Sequence, residues 1–126
     1  MIRQNTGKIS LGQEGERAAE RYLGKKGYKL IERNYRCSGG ELDLIVIDRR
    51  VIVFVEVKTR TGQSFGTPLE AVEFRKQQRM IRAAQIYLAS KGLHGREARF
   101  DVVGVSWAGR EPLIEHIENA FELPQS

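Results

Sequence analysis

The chain has 126 residues, about the length of one domain, and its 40% hydrophobic and 29% charged content excludes a disordered or fibrous protein. The longest unbroken apolar run, residues 51–55, is too short to span a bilayer, the amino-terminal stretch lacks the apolar centre of a signal peptide, and the lone Cys37 excludes an internal disulfide or a cysteine-based zinc site. These features predict a cytoplasmic protein with no membrane partner, and a net charge of +5 favours an anionic partner, most simply nucleic acid.

In chain order, residues 1–9 read as a flexible lead. Ser10 is placed to cap a helix over 11–26, where Leu11, Ala18, Ala19, Tyr22 and Leu23 share one side, and Gly27 is placed to end it. Residues 28–35 alternate as a strand, CSGGE turns the chain, and residues 42–47 are apolar except for Asp43. Asp48-Arg49-Arg50 turns the chain again into residues 51–57, a β-branched and aromatic run that reads as the most deeply buried strand. The loop TGQSFGTP, 61–68, ends in a proline suited to opening a helix, which the pattern carries over 69–91 to a stop at Gly92. Strands follow at 100–105 and 113–117, then a loose tail over 122–126. The order α-β-β-β-α-β-β predicts one α/β domain over 10–121, a mixed central sheet flanked by helices.

A buried strand should be apolar throughout, and two strands here break that rule. Glu56 and Lys58 end the run VIVFVEVK, and their spacing of two puts both on one face. In the simplest hairpin register Ile47 pairs with Ile52 and Ile45 with Phe54, which sets Asp43 opposite Glu56 and Glu41 opposite Lys58. A three-residue loop would instead put Asp43 and Glu56 on opposite faces. Two carboxylates facing each other across a strand pair repel, so something must offset them. Lys58 does part of this, and a hard divalent cation with oxygen ligands does it better. The simpler alternative is an exposed sheet end held by a salt bridge. In the metal reading, Asp43, Glu56 and the Val57 carbonyl hold Mg²⁺ or Mn²⁺. Lys58 then orients an attacking water or neutralises charge on a phosphate.

Leu42-Asp43, followed by Glu56-Val57-Lys58 on the next strand, resembles the PD-(D/E)XK nuclease signature, with Leu42 in place of the usual proline. The segments GQEGERAAERYL, NYRCSGGELDLIVID, VFVEVKTR, FGTPLEAV, the lysine of FRK and RFDVVGV together resemble the YraN-like family over residues 12–105. That resemblance implies a restriction-endonuclease-like fold similar to archaeal Holliday junction resolvases, and a metal-dependent endonuclease that hydrolyses phosphodiester bonds in DNA, branched DNA included. It implies a homodimer. It also adds Glu16, from Gly15-Glu16, to the catalytic set of Asp43, Glu56 and Lys58. Glu41, opposite Lys58 in the hairpin register, is the expected supporting partner of Lys58. By helical geometry alone, Glu14 and Glu16 lie at opposite edges of the apolar stripe.

Arg75, Arg79 and Arg82 fall on one side of the second helix at steps of four and three, with Lys76 at the boundary. With Arg60 they are the expected phosphate contacts, although charged stripes are often only solvated helix faces. The alternative function is a nucleic-acid-binding module that keeps the fold and does not cleave. The segment Gly62-Gln63-Ser64-Phe65-Gly66, followed by Asp101 and His116, also fits a hydrolase order. The chain is too short for the parallel sheet such a triad needs. His94 and His116 lack metal-ligand spacing and read as surface or packing residues.

Overall fold

The computed structural model describes residues 9–60 and 72–122. The first helix, α1 (Leu11–Lys25), starts where the Ser10 side chain accepts from the Gln13 amide and the Gln13 side chain accepts from the Ser10 amide, a reciprocal capping box. It stops at Gly27, φ +94, where the amides of Gly27 and Tyr28 return to the carbonyls of Gly24 and Leu23. The second helix, α2 (Phe74–Ser90), ends by the same device at Gly92, whose φ of +65 lets Leu93 donate to the Leu88 carbonyl. Its start differs from the expected residue 69. Glu73 is extended and caps the helix without a side-chain hydrogen bond, and Val72 is buried at a bend, so the apolar spacing at 72 reflects core packing and not a helical turn. Residues 69–71, like the loop at 61–68, the lead over 1–8 and the tail over 123–126, lie outside the described residues.

The strands are β1 (Lys29–Cys37), β2 (Gly40–Asp48), β3 (Val51–Thr59), β4 (Ala98–Ala108) and β5 (Glu111–Phe121), in the expected order along the chain. They form one five-stranded sheet in the order β1-β2-β3-β4-β5. All neighbours are antiparallel except β3 and β4, which run parallel and are joined through α2. This makes the sheet mixed, as expected. Both edge strands are irregular. β1 slips register between Leu30 and Glu32 and carries Asn34 at φ +48, and β5 slips opposite Phe100 and Val102 and carries Asn119 at φ +52.

Two cores cover the two faces. Ala18, Ala19 and Leu23 of α1 pack on Leu44, Val46, Val53, Val55, Val57, Val103 and Val105. On the opposite face Met80, Ile81, Ala83, Ala84 and Tyr87 of α2 pack on Ile45, Ile52, Phe54, Phe100 and Val102. Alternate residues of β3 and β4 thus serve opposite layers, which is why apolar residues fill both faces of these strands, with Glu56 and Lys58 interrupting β3 and Asp101 interrupting β4. β2 departs from this rule. Leu44 and Val46 face α1, yet Leu42 lies in the α2 core, so β2 changes face across Asp43.

Glycines set how closely the layers approach. A methyl group built on Gly15 would overlap Thr59 Oγ1, so only glycine lets α1 seat against the end of β3. At the β1–β2 turn, a methyl on Gly39 would fall 2.7 Å from Arg82 Cγ, and one on Gly40, at φ +148, would fall 3.0 Å from the Arg79 carbonyl oxygen. That turn is pressed onto the basic side of α2.

Candidate active site

The β2–β3 hairpin has a two-residue turn, Arg49-Arg50, with Arg49 at φ +60. It pairs Ile47 with Ile52 and Ile45 with Phe54, the register expected from the sequence. The ladder runs no further than Leu44 and Val55. Continued by two residues, it would give the Val57 amide to the carbonyl of residue 42. That amide instead donates to Asp43 Oδ2 at 2.8 Å. The carboxylate thereby takes a backbone acceptor's place at the point where β2 changes face.

Glu56 is 4% exposed, on the α2 side of β3. Burial and the neighbouring Glu56 carboxylate push the Asp43 carboxyl up to about 7, against the opposing pull of the Val57 amide and Lys76. Lys76 reaches in from the first turn of α2, with Nζ 3.6 Å from Glu56 Oε2. Among the described residues, the buried Glu56 Oε1 has no hydrogen-bond partner. A buried carboxylate oxygen left unpaired is costly, and the pair offers hard oxygen donors at one point, so the residues present fit a divalent cation. A strand residue directs its amide and carbonyl to the same side, so the Val57 carbonyl also faces the Asp43 side. Lys58, half-buried, follows Glu56 on the same face of β3.

Glu16 stands next to this pair and not within it. Its Oε1 accepts from Asn34 Nδ2 at 3.1 Å, and its carboxyl is raised by burial against that hydrogen bond, with Asp43 and Glu41 adding to the rise. Among the described residues, no three His, Cys, Asp or Glu side chains form a ready metal-binding group. Glu41 is placed differently from the expectation. It pairs with Arg36 across β1–β2, Nε to Oε2 at 3.1 Å, because the ladder to β3 has ended before it can face Lys58.

Arg75, Arg79 and Arg82 are all exposed on α2, and Lys76 is partly buried beneath them. Arg79 and Lys76 line a cleft of about 360 Å³ together with Arg36, Cys37, Gly40 and Glu41. The first turn of α2 holds no acid although it carries Arg75 and Lys76. Cations there oppose the helix dipole, a local cost that an anionic partner would offset. Arg60 continues β3 beyond Lys58, where its amide donates to the Val105 carbonyl.

A second polar centre was not anticipated from the sequence. Asp101 is fully buried and binds Arg99 through two oxygens, at 2.9 and 3.2 Å, the Asn119 amide at 3.0 Å and His116 Nε2 at 2.7 Å. Arg99 also reaches Asp48 and the Tyr28 hydroxyl, and Lys26 Nζ meets His116 Nδ1 at 3.0 Å. Burial pushes Asp101 up, but these donors outweigh it and hold the carboxyl below its ordinary value. His116 is thus a packing histidine with both ring nitrogens occupied, which argues against a hydrolase triad even though it meets Asp101. Ser64 lies outside the described residues.

Comparison with known proteins places these features in a family. The profile described as "Uncharacterised protein family UPF0102" matches residues 15–105. A UPF0102 protein of Alkaliphilus metalliredigens is 54% identical over 112 residues, covering 89% of this chain and 97% of its own. Relatives from Caldanaerobacter subterraneus and Geobacter metallireducens are 48% and 49% identical, and each alignment covers 90% of this chain and more than nine-tenths of the relative. Among solved structures, SfsA of Pyrococcus furiosus in complex with Ca²⁺ aligns at a TM-score of 0.40 and 16% identity, over 86% of this chain and 62% of that one.

Proposed function

The chain belongs to the UPF0102 family, the YraN-like family of the sequence resemblance, and from that premise we propose that it is a metal-dependent nuclease that hydrolyses phosphodiester bonds in DNA. The observation that carries this reading is the Asp43–Glu56 pair, in which Glu56 is buried and its Oε1 has no hydrogen-bond partner among the described residues. Mg²⁺ or Mn²⁺ bound there would supply Lewis-acid chemistry toward a phosphate oxygen and a water. Asp43, Glu56 and the Val57 carbonyl are the ligands in this reading. Lys58 hydrogen-bonds the attacking water or the scissile phosphate and offsets charge as the leaving oxygen departs. Glu16, held by Asn34, borders the site from α1, where it orients water. Arg75, Arg79 and Arg82 hold the phosphate chain by contacts that position DNA without reading its sequence. Branched DNA is the substrate form, and a homodimer the assembly, that the resemblance favours.

Two substitutions separate ligand from chemistry. Asp43→Asn should lose divalent binding, because a neutral amide is a weaker ligand than a carboxylate. Lys58→Ala should keep the metal and lose cleavage by about 10²-fold or more. Calorimetric titration with Mn²⁺, together with cleavage of linear, nicked, flapped and four-way DNA, reads both. Wild-type protein that binds DNA but neither takes up Mn²⁺ nor cleaves any substrate would make the non-catalytic binding module the correct reading.

A further inference from the structure

Lys76 is the third residue of α2, at the end of the helix where the dipole disfavours a cation. Its partner there is Glu56, with Nζ 3.6 Å from Oε2. The Glu56 side chain is 6% exposed and its other oxygen has no hydrogen-bond partner among the described residues, so one lysine at the long limit of an ion pair meets only part of its need. The Lys76 charge also acts on Asp43. On its other side Lys76 lines the cleft shared with Arg36 and Arg79. Its side chain is 28% exposed, so it can turn from one environment to the other on its own methylenes.

We propose that Lys76 is a resident counter-cation of the Asp43–Glu56 pair, that a divalent cation displaces it, and that the displaced lysine becomes a phosphate contact in the cleft beside Arg79. The inference rests on the metal site proposed above and adds a coupling between its two ligands. With both carboxylates ionised, Lys76 leaves the pair one charge negative. A divalent ion added beside it would leave the group one charge positive, and the cation free to move is the lysine. Cation uptake then supplies a phosphate contact that the metal-free protein lacks, so by linkage each ligand raises the affinity of the other.

Ca²⁺ in place of Mg²⁺ and an uncleaved duplex oligonucleotide test it. The salt dependence of DNA binding is measured in Ca²⁺ and in EDTA for wild type, Lys76→Gln and Lys76→Arg. A direct Ca²⁺–phosphate contact would steepen the slope in every variant. The proposal requires a further steepening of about 0.9 in wild type and Lys76→Arg that Lys76→Gln lacks, the value of one phosphate contact on duplex DNA. Without DNA, Lys76→Gln should bind Ca²⁺ more tightly, on the order of tenfold. A lysine with a merely structural role gives the same Ca²⁺-dependent slope change in wild type and Lys76→Gln, and overturns the proposal. Should Lys76→Gln fail to fold, the ¹³Cε resonance of Lys76 in wild type should shift on Ca²⁺ addition and again with DNA. A resonance that does not move overturns the displacement. Wild type that takes up no Ca²⁺ overturns the metal site as well, whereas Ca²⁺ uptake indifferent to residue 76 overturns the displacement alone.

Discussion

Asp43 gains an amide donor from Val57 but is partly buried against a second carboxylate, and the net effect raises its carboxyl from 3.8 to about 7. The sign of the consequence follows from linkage. A carboxyl that holds its proton more tightly in the folded state contributes stability at low pH, and that contribution is lost as pH rises toward and through about 7. Asp43→Asn should therefore make the metal-free protein more stable than wild type at pH 8, by about 1–3 kcal/mol, with the gap closing toward pH 4. Urea denaturation across pH in EDTA checks it, and a gap of constant size would show that the charge is not the cause. Asp43 and Glu56 were legible in the sequence because each interrupts an apolar strand. The same rule applied to RFDVVGV would have found Asp101, whose buried carboxylate is as conspicuous as Glu56. Its neighbours were less legible. Only Arg99 is near in sequence, while Asp48, His116 and the Asn119 amide arrive from other strands.

The helix ends were readable because Ser10, Gly27 and Gly92 carry local chemistry that needs no tertiary context. The change of face in β2 was not, because alternation rules assume a regular pleat and this strand gives an amide pairing to a side chain. The seating of α1 was equally hidden, since it depends on Thr59 lying under Gly15. Gly15→Ala should force α1 away from β3 and cost about 1–3 kcal/mol, as overpacking does. Gly24→Ala, in the same helix with open space around it, should be neutral or stabilising by up to about 1 kcal/mol. Thermal unfolding of the two variants side by side distinguishes a steric cause from a general intolerance of change in α1. For α2, the sequence located the arginine stripe, and the structure exposes it beside the basic cleft. Changing Arg75, Arg79 and Arg82 together to alanine should weaken DNA binding and flatten the log–log salt slope by about 0.9 per lost contact. Unchanged affinity and slope would mean that this face is only solvated.

At the scale of the whole molecule, the element order and the mixed sheet were both legible, since the seven elements among the described residues, in the order α-β-β-β-α-β-β, leave few ways to cover two faces. The parallel contact of β3 with β4 follows from the crossover through α2, and it puts the two most apolar strands at the centre with a helix on either side. Glu56 and Lys58 are charged residues on one of these strands, so the candidate site is anchored on the most buried strand of the fold. Among the described residues, no helix is long and apolar enough to cross a membrane.

The irregular outer strands bear on how this protein behaves at high concentration. An open sheet presents unsatisfied amides and carbonyls along both margins, and a flat margin invites a second molecule to add its own strand and begin a fibre. Here the register slip at Leu30–Glu32 and the left-handed Asn34 twist one margin out of line, while Pro112 and the left-handed Asn119 interrupt the other. These interruptions disfavour self-assembly by strand addition at both margins of the sheet. A dimer formed through helical faces or turns would instead depend on side-chain chemistry and not on backbone hydrogen bonding.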